Sequence, residues 1–110
     1  MTIRALDKEQ GQAYFDRITR DMGATEARLE ISGSTIGSQP ESDWAMLLGV
    51  TYDPDRDTMD INLENLAHRI AHPREIYVDD GADGLHSIEI VDIDNNRQRV
   101  LLRRSPQLTH

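Results

Sequence analysis

Along this chain the spacing of hydrophobic positions is helical near the start and alternating almost everywhere after it. Tyr14, Phe15, Ile18 and Met22 recur at helical spacing, with Asp16, Arg17, Arg20 and Asp21 between them, which predicts one amphipathic helix. Asp7 with Gln10 three residues on is a capping-box pattern for its start, and Gly23 marks its end. Gly11 inside the helix weakens it by about 1 kcal/mol relative to Ala, so packing on an apolar surface has to hold it in place.

From Thr25 onward the period is two. Ala27, Leu29 and Ile31 alternate with Arg28 and Glu30, predicting a strand from Thr25 to Ser32 with one wet face. GSTIGSQPESD then reads as a long connection with a brief extended piece around Ile36. Trp44 to Tyr52 carries apolar residues at both parities, the pattern of a central strand covered on two faces. DPDRD, residues 53 to 57, turns the chain into the alternating run Thr58 to Leu63, a hairpin. Ile76 and Val78 alternate with Glu75 and Tyr77, Ile88 and Ile90 follow the DDGADG turn, and Asp94-Asn95-Asn96 leads into Val100-Leu101-Leu102. The expected architecture is a single α+β domain over residues 1–110. Its N-terminal helix packs on a curved antiparallel sheet of about six strands, with a partly closed barrel as the variant.

Composition narrows the function classes. With 110 residues the chain has the length of one domain, and with no cysteine it excludes disulfides, thiolate chemistry and cysteine-ligated zinc. The N-terminus MTIRALDKEQ lacks the apolar core of a secretion signal, and Trp44 to Leu48 is the longest apolar run, so no membrane segment is expected. Twenty acidic against twelve basic residues, a formal charge of -8, repel phosphate backbones and anionic lipid, so neither nucleic acid nor membrane is an expected partner. A cytoplasmic location fits this composition.

Candidate chemistry concentrates in HRIAHPREIYVDDGADG, residues 68 to 84. Glu64, His68 and His72 are spaced by four and would share a flank of a helix over 63 to 72, pointing at water opposite Leu63, Leu66 and Ile70. Pro73 disfavours a helical His72, and no HExxH signature completes a zinc site, so the segment reads as a short exposed helix or turn stopping before Pro73, with no metal. Asp53, Asp55 and Asp57 have the alternate spacing of a calcium loop but lack its glycine and distal glutamate, and read as turn chemistry. His86 shares the strand parity of Ile88 and Ile90, which places it on the apolar face. Tyr77 has the opposite parity and faces out, an interface marker if its strand is an edge. No GxSxG elbow or phosphate-binding loop occurs. No catalytic residue, cofactor or metal ligand is therefore assigned, and His68, His72, Tyr77 and His86 are the candidates for a surface or pocket.

The segments YFDRITR, IGSQ, LLGVTYDP, LAHRIAHPREIYVDDG, GLHSIEIVDIDNNRQRV and LLRRSP follow one another in this order. In them the chain resembles, along nearly its whole length, a family of small bacterial proteins, domain of unknown function 5335. Pro106 and Leu108 fit the tail of that family, whereas Ser105 and Gln107 depart from it. The resemblance implies no activity, cofactor or catalytic residue. The expected role is that of a soluble, non-enzymatic binding or accessory protein acting through protein contact or self-association. Two alternatives stand beside it: a small enzyme or ligand-binding protein with a pocket near His86 and residues 68–80, and an acidic regulator of a basic partner protein.

Overall fold

The computed structural model describes residues 3–33, 37–40 and 43–104. Helix α1, Lys8–Asp21, forms where the helical period predicts it. Asp7 caps it, but not as a capping box: its carboxylate accepts the Glu9 backbone N–H at 3.1 Å, and its carbonyl accepts that of Gln10 at 2.9 Å. At the other end Gly23 takes φ +64°, the left-handed conformation that lets the chain reverse into the first long strand.

Nine strands are described: β1 Ile3–Ala5, β2 Thr25–Gly33, β3 Gly37–Pro40, β4 Ala45–Asp53, β5 Thr58–Leu63, β6 Leu66–Ala71, β7 Glu75–Gly81, β8 Gly84–Val91 and β9 Arg97–Arg104. All pairings are antiparallel, in the order β1-β7-β8-β9-β2-β4-β5-β6, with β3 paired to the far half of β2. The class is α+β as expected, with nine strands in place of six. The sheet is open, ending in β1 on one side and β6 on the other, and is not closed into a barrel. Ile36 lies outside the described residues.

β2 and β4 pair only through Glu26 with Met46 and Ala27 with Ala45, because β3 occupies the remaining edge of β2. At this short joint the three-stranded section β4-β5-β6 turns back over the five-stranded section β1-β7-β8-β9-β2. Their facing sides share one core: Ala27, Leu29, Ile76, Val78, Ile88, Ile90 and Val100 from the larger section, and Leu47, Val50, Met59, Ile61 and Ile70 from the smaller. Phe15 and Tyr14 of α1 complete it. Apolar burial on this scale, roughly 25 cal/mol per Å², is the main force folding one section onto the other.

Two strands depart from expectation. β4 is covered on one face only. A bulge between Leu47 and Gly49 switches its parity, so Ala45, Leu47, Val50 and Tyr52 are buried while Leu48 is 62% exposed. Just past the bulge the helix is tied to β4: Thr19 Oγ1 donates to the Val50 carbonyl at 2.9 Å and accepts the Val50 N–H at 3.0 Å. Gly11 is buried against Tyr52, and a Cβ there would come within 3.1 Å of its ring, so close approach explains a glycine inside the helix.

Residues 66–71, expected as a helix or turn, are strand β6, in register with β5 from Leu63–Leu66 to Thr58–Ala71. Its apolar pattern fits period two as well as 3.6: Leu66, His68 and Ile70 face inward, and Ala67, Arg69 and Ala71 outward. Pairing with β5, which a helix would forgo, decides the matter. The strand ends where His72, before Pro73, takes φ +51° and donates its N–H to the Asp57 carbonyl at 2.8 Å.

Candidate functional site

The four candidates from the sequence lie in four different surroundings. His68 points into the core side rather than at water, and its Nε2 lies 2.6 Å from Gln98 Oε1 on β9, four strands away along the sheet. Gln98 Nε2 in turn donates to Asp92 Oδ2 at 2.8 Å, and Asp92 Oδ1 accepts the backbone N–H groups of Asp94 and Asn96 in the β8–β9 turn. Gln98 and Asp92 are only 7% and 8% exposed. This relay ties edge strand β6 to β9 across the fold of the sheet.

His72 belongs to a second cluster around Asp57. The Asp57 carboxylate receives Lys8 Nζ at 2.7 Å, the Tyr52 hydroxyl at 2.6 Å and His72 Nδ1 at 3.4 Å. Partial burial pushes its pKa up, but the hydrogen bonds from Lys8, Tyr52 and His72 outweigh this and hold it below the usual carboxylate value. Burial and the Asp57 bond together push Tyr52 up to about 12. Asp53 Oδ1 accepts the N–H groups of Asp55 and Arg56, a turn arrangement, and among the described residues no three His, Asp or Glu side chains gather as metal ligands.

Tyr77 faces out as expected, but β7 lies between β1 and β8 and is no edge strand. Its hydroxyl donates to Glu75 Oε1 at 2.7 Å.

His86 is not on the apolar face. A register shift leaves Asp79 opposite Ser87 and Asp80 opposite Leu85, so His86 is the extra residue of a bulge and loses the parity of Ile88. It is exposed, its Nε2 2.9 Å from Asp83 Oδ1, and this bond holds the Asp83 carboxyl below its ordinary value.

His86 does border a cavity of about 480 Å³, which opens between the C-terminal half of α1, the start of β2, the β7–β8 turn and the end of β9. Its apolar lining is Ile18, Met22, Leu85 and Leu102. All four are only partly buried, although each packs against the core. The polar lining comprises Arg17, Asp21, Thr25, Asp83, His86, Arg103 and Arg104. Several of these are already engaged. Arg103 binds Glu26 Oε1 at 2.9 Å and lies 4.1 Å from the centre of the Trp44 ring, Asp21 meets Arg20, and Thr25 Oγ1 donates to the Met22 carbonyl. Arg17 and Arg104 are different: neither has an ion pair among the described residues. Arg17 lies over the Tyr14 ring at 5.4 Å. That ring is held by its hydroxyl, which donates to Asp80 Oδ2 at 2.9 Å, and Asp80 is also bound by Arg4.

Only His86 among the sequence candidates reaches this cavity; Arg17 and Met22 belong to the predicted helix and Leu102 to the last predicted strand, while Arg104 carries no sequence signal of its own. Helical spacing gave Ile18 and Met22 as an apolar stripe, but which end of that stripe the sheet leaves uncovered is a tertiary property.

The family model described as "Family of unknown function (DUF5335)" matches residues 2–110. A protein from Aquifex aeolicus (strain VF5), described as "Uncharacterized protein", is 38% identical over 109 residues, 98% of this chain and 96% of the relative. No solved structure matches the chain.

Proposed function

The chain belongs to this family of unknown function, and from that premise we propose that it is a non-enzymatic binding protein whose ligand site is the cavity under the C-terminal half of α1. One observation carries the reading. Ile18, Met22, Leu85 and Leu102 are four of the five hydrophobic residues left partly open at the margin of the core, and all four line this one cavity. Apolar surface gathered in a concavity of a few hundred Å³, with a handful of polar groups around it, is the usual make-up of a small-molecule site. This favours ligand binding near His86 over the acidic-regulator role, whose carboxylates would gather on one face. Here Asp80, Asp57, Asp60, Glu89 and Glu26 are each neutralised by a neighbouring base.

The test is a small-molecule panel followed by NMR of the methyl groups. Binders are expected to shift the Ile18, Met22, Leu85 and Leu102 resonances together. A panel whose binders shift other methyls, or none, removes the reading.

A second reading, self-association, is favoured by β6. It is a six-residue edge strand without proline or bulge, the kind of edge that pairs with another strand when nothing covers it. Sedimentation across a concentration series is expected to give a dimer if β6 is used, and a dimer that persists after Ala67→Pro points elsewhere.

A further inference from the structure

Resting on the cavity reading, we propose that the ligand is an amphipathic monoanion, a single carboxylate on an apolar body. Its head would be held by the Arg17 and Arg104 guanidinium groups and its body would lie on Met22 and Leu102.

In a chain of net charge -8 acids outnumber bases, and a guanidinium has many possible partners. Eight of the twelve basic residues have taken one: Arg4, Lys8, Arg20, Arg28, Arg69, Arg97, Arg99 and Arg103 sit in ion pairs. Among the described residues Arg17, Arg56, Arg74 and Arg104 have none, and Arg74 donates to Asn95 instead. Two of the remaining three line the same cavity. Arg17 also has its guanidinium lying over a Tyr14 ring that is anchored by Asp80. A guanidinium fork with no anion partner among the described residues is matched to a carboxylate.

Asp21 and Asp83 stand at the same rim, and their charges disfavour a doubly charged head such as phosphate. The apolar lining disfavours a small hydrophilic anion. Together they select one negative charge and an apolar body.

The chain carries its own reporter. Trp44 is its single tryptophan, and it stacks on Arg103, a lining residue of the cavity. Octanoate, 1-octanol and inorganic phosphate are titrated against the full chain, following Trp44 fluorescence and heat of binding. Octanoate is expected to bind about tenfold or more tighter than octanol, with no measurable binding of phosphate. The double variant Arg17→Gln, Arg104→Gln is expected to remove that margin and leave octanol binding and the melting temperature of the free protein unchanged. Met22→Gln should weaken octanoate and octanol alike. Octanol binding as tightly as octanoate, with both weakened by Met22→Gln, overturns the carboxylate and leaves the cavity reading standing. Phosphate competing with octanoate at equal affinity overturns the amphipathic ligand. If none of the three binds, both readings fall. A dimer that octanoate disperses assigns the cavity to a second copy of the chain and overturns the proposal.

Discussion

Both carboxylate oxygens of Asp92 are taken up inside the fold, one by two turn N–H groups and the other by Gln98, which passes the chain of bonds on to His68. Because Gln98 Oε1 can only accept, the His68 Nε2 carries the hydrogen in this pair. Gln98→Leu therefore leaves two groups without partners where water has little access, and is expected to cost about 1–3 kcal/mol in urea unfolding. The tyrosines make a second prediction at this scale. Burial, with the bond to Asp80, pushes Tyr14 up to about 12, and Tyr52 stands at about 12 against an ordinary value of 10.0. A raised folded-state pKa means that each contributes stability fully present below pH 10 and lost as pH rises through 12. Spectrophotometric titration should show the two ionising late, at about 12 or on unfolding. Tyr52→Phe should make the alkaline loss of stability shallower.

The meeting of α1 with β4 depends on one hydroxyl, which donates to the Val50 carbonyl and accepts the Val50 N–H on the stretch of β4 that β2 no longer pairs. Gly49 leaves room for it, since a Cβ there would stand 3.1 Å from Thr19 Cγ2. Thr19→Val keeps the shape and removes both bonds. Its expected cost is about 1–3 kcal/mol, and Thr19→Ser should recover most of it, as chemical denaturation of the pair will show. At this scale the sequence was read well where period and punctuation agree. Helix α1 lies between the Asp7 cap and Gly23, and DPDRD and Asp94-Asn95-Asn96 are hairpin turns. It was misread at Leu66–Ala71, where Leu66 and Ile70 satisfy both periods, and at His86, where a bulge reverses the parity that Ile88 and Ile90 imply.

The whole molecule is two sections of one sheet joined through two residue pairs, Glu26 with Met46 and Ala27 with Ala45, and closed by core packing and the His68–Gln98 bond. Protection against hydrogen exchange should follow this plan. Amides of β8, β9 and β2, flanked by strands on both sides, are expected to exchange slowest, and those of β1 and β6 at the two edges fastest. Uniform protection from β6 to β9 would mean that the two sections open only as a unit. No described helix is long and apolar enough to cross a membrane, in keeping with the absence of a long apolar run in the sequence.

By itself the sequence determined the class of fold, the helix, most of the strands and the excess of acid over base. These follow from local periodicity, turn residues and composition, which need no knowledge of distant neighbours. Only the tertiary structure decided which side chains meet. Folding β4-β5-β6 over the larger section buries His68 against Gln98. The bulges turn Leu48 and His86 outward, and the joint between α1 and the end of β9 leaves Ile18, Met22, Leu85 and Leu102 partly uncovered beside two guanidinium groups with no ion pair among the described residues. Each of these depends on contacts between residues far apart in the chain, and neither period nor composition carries that information.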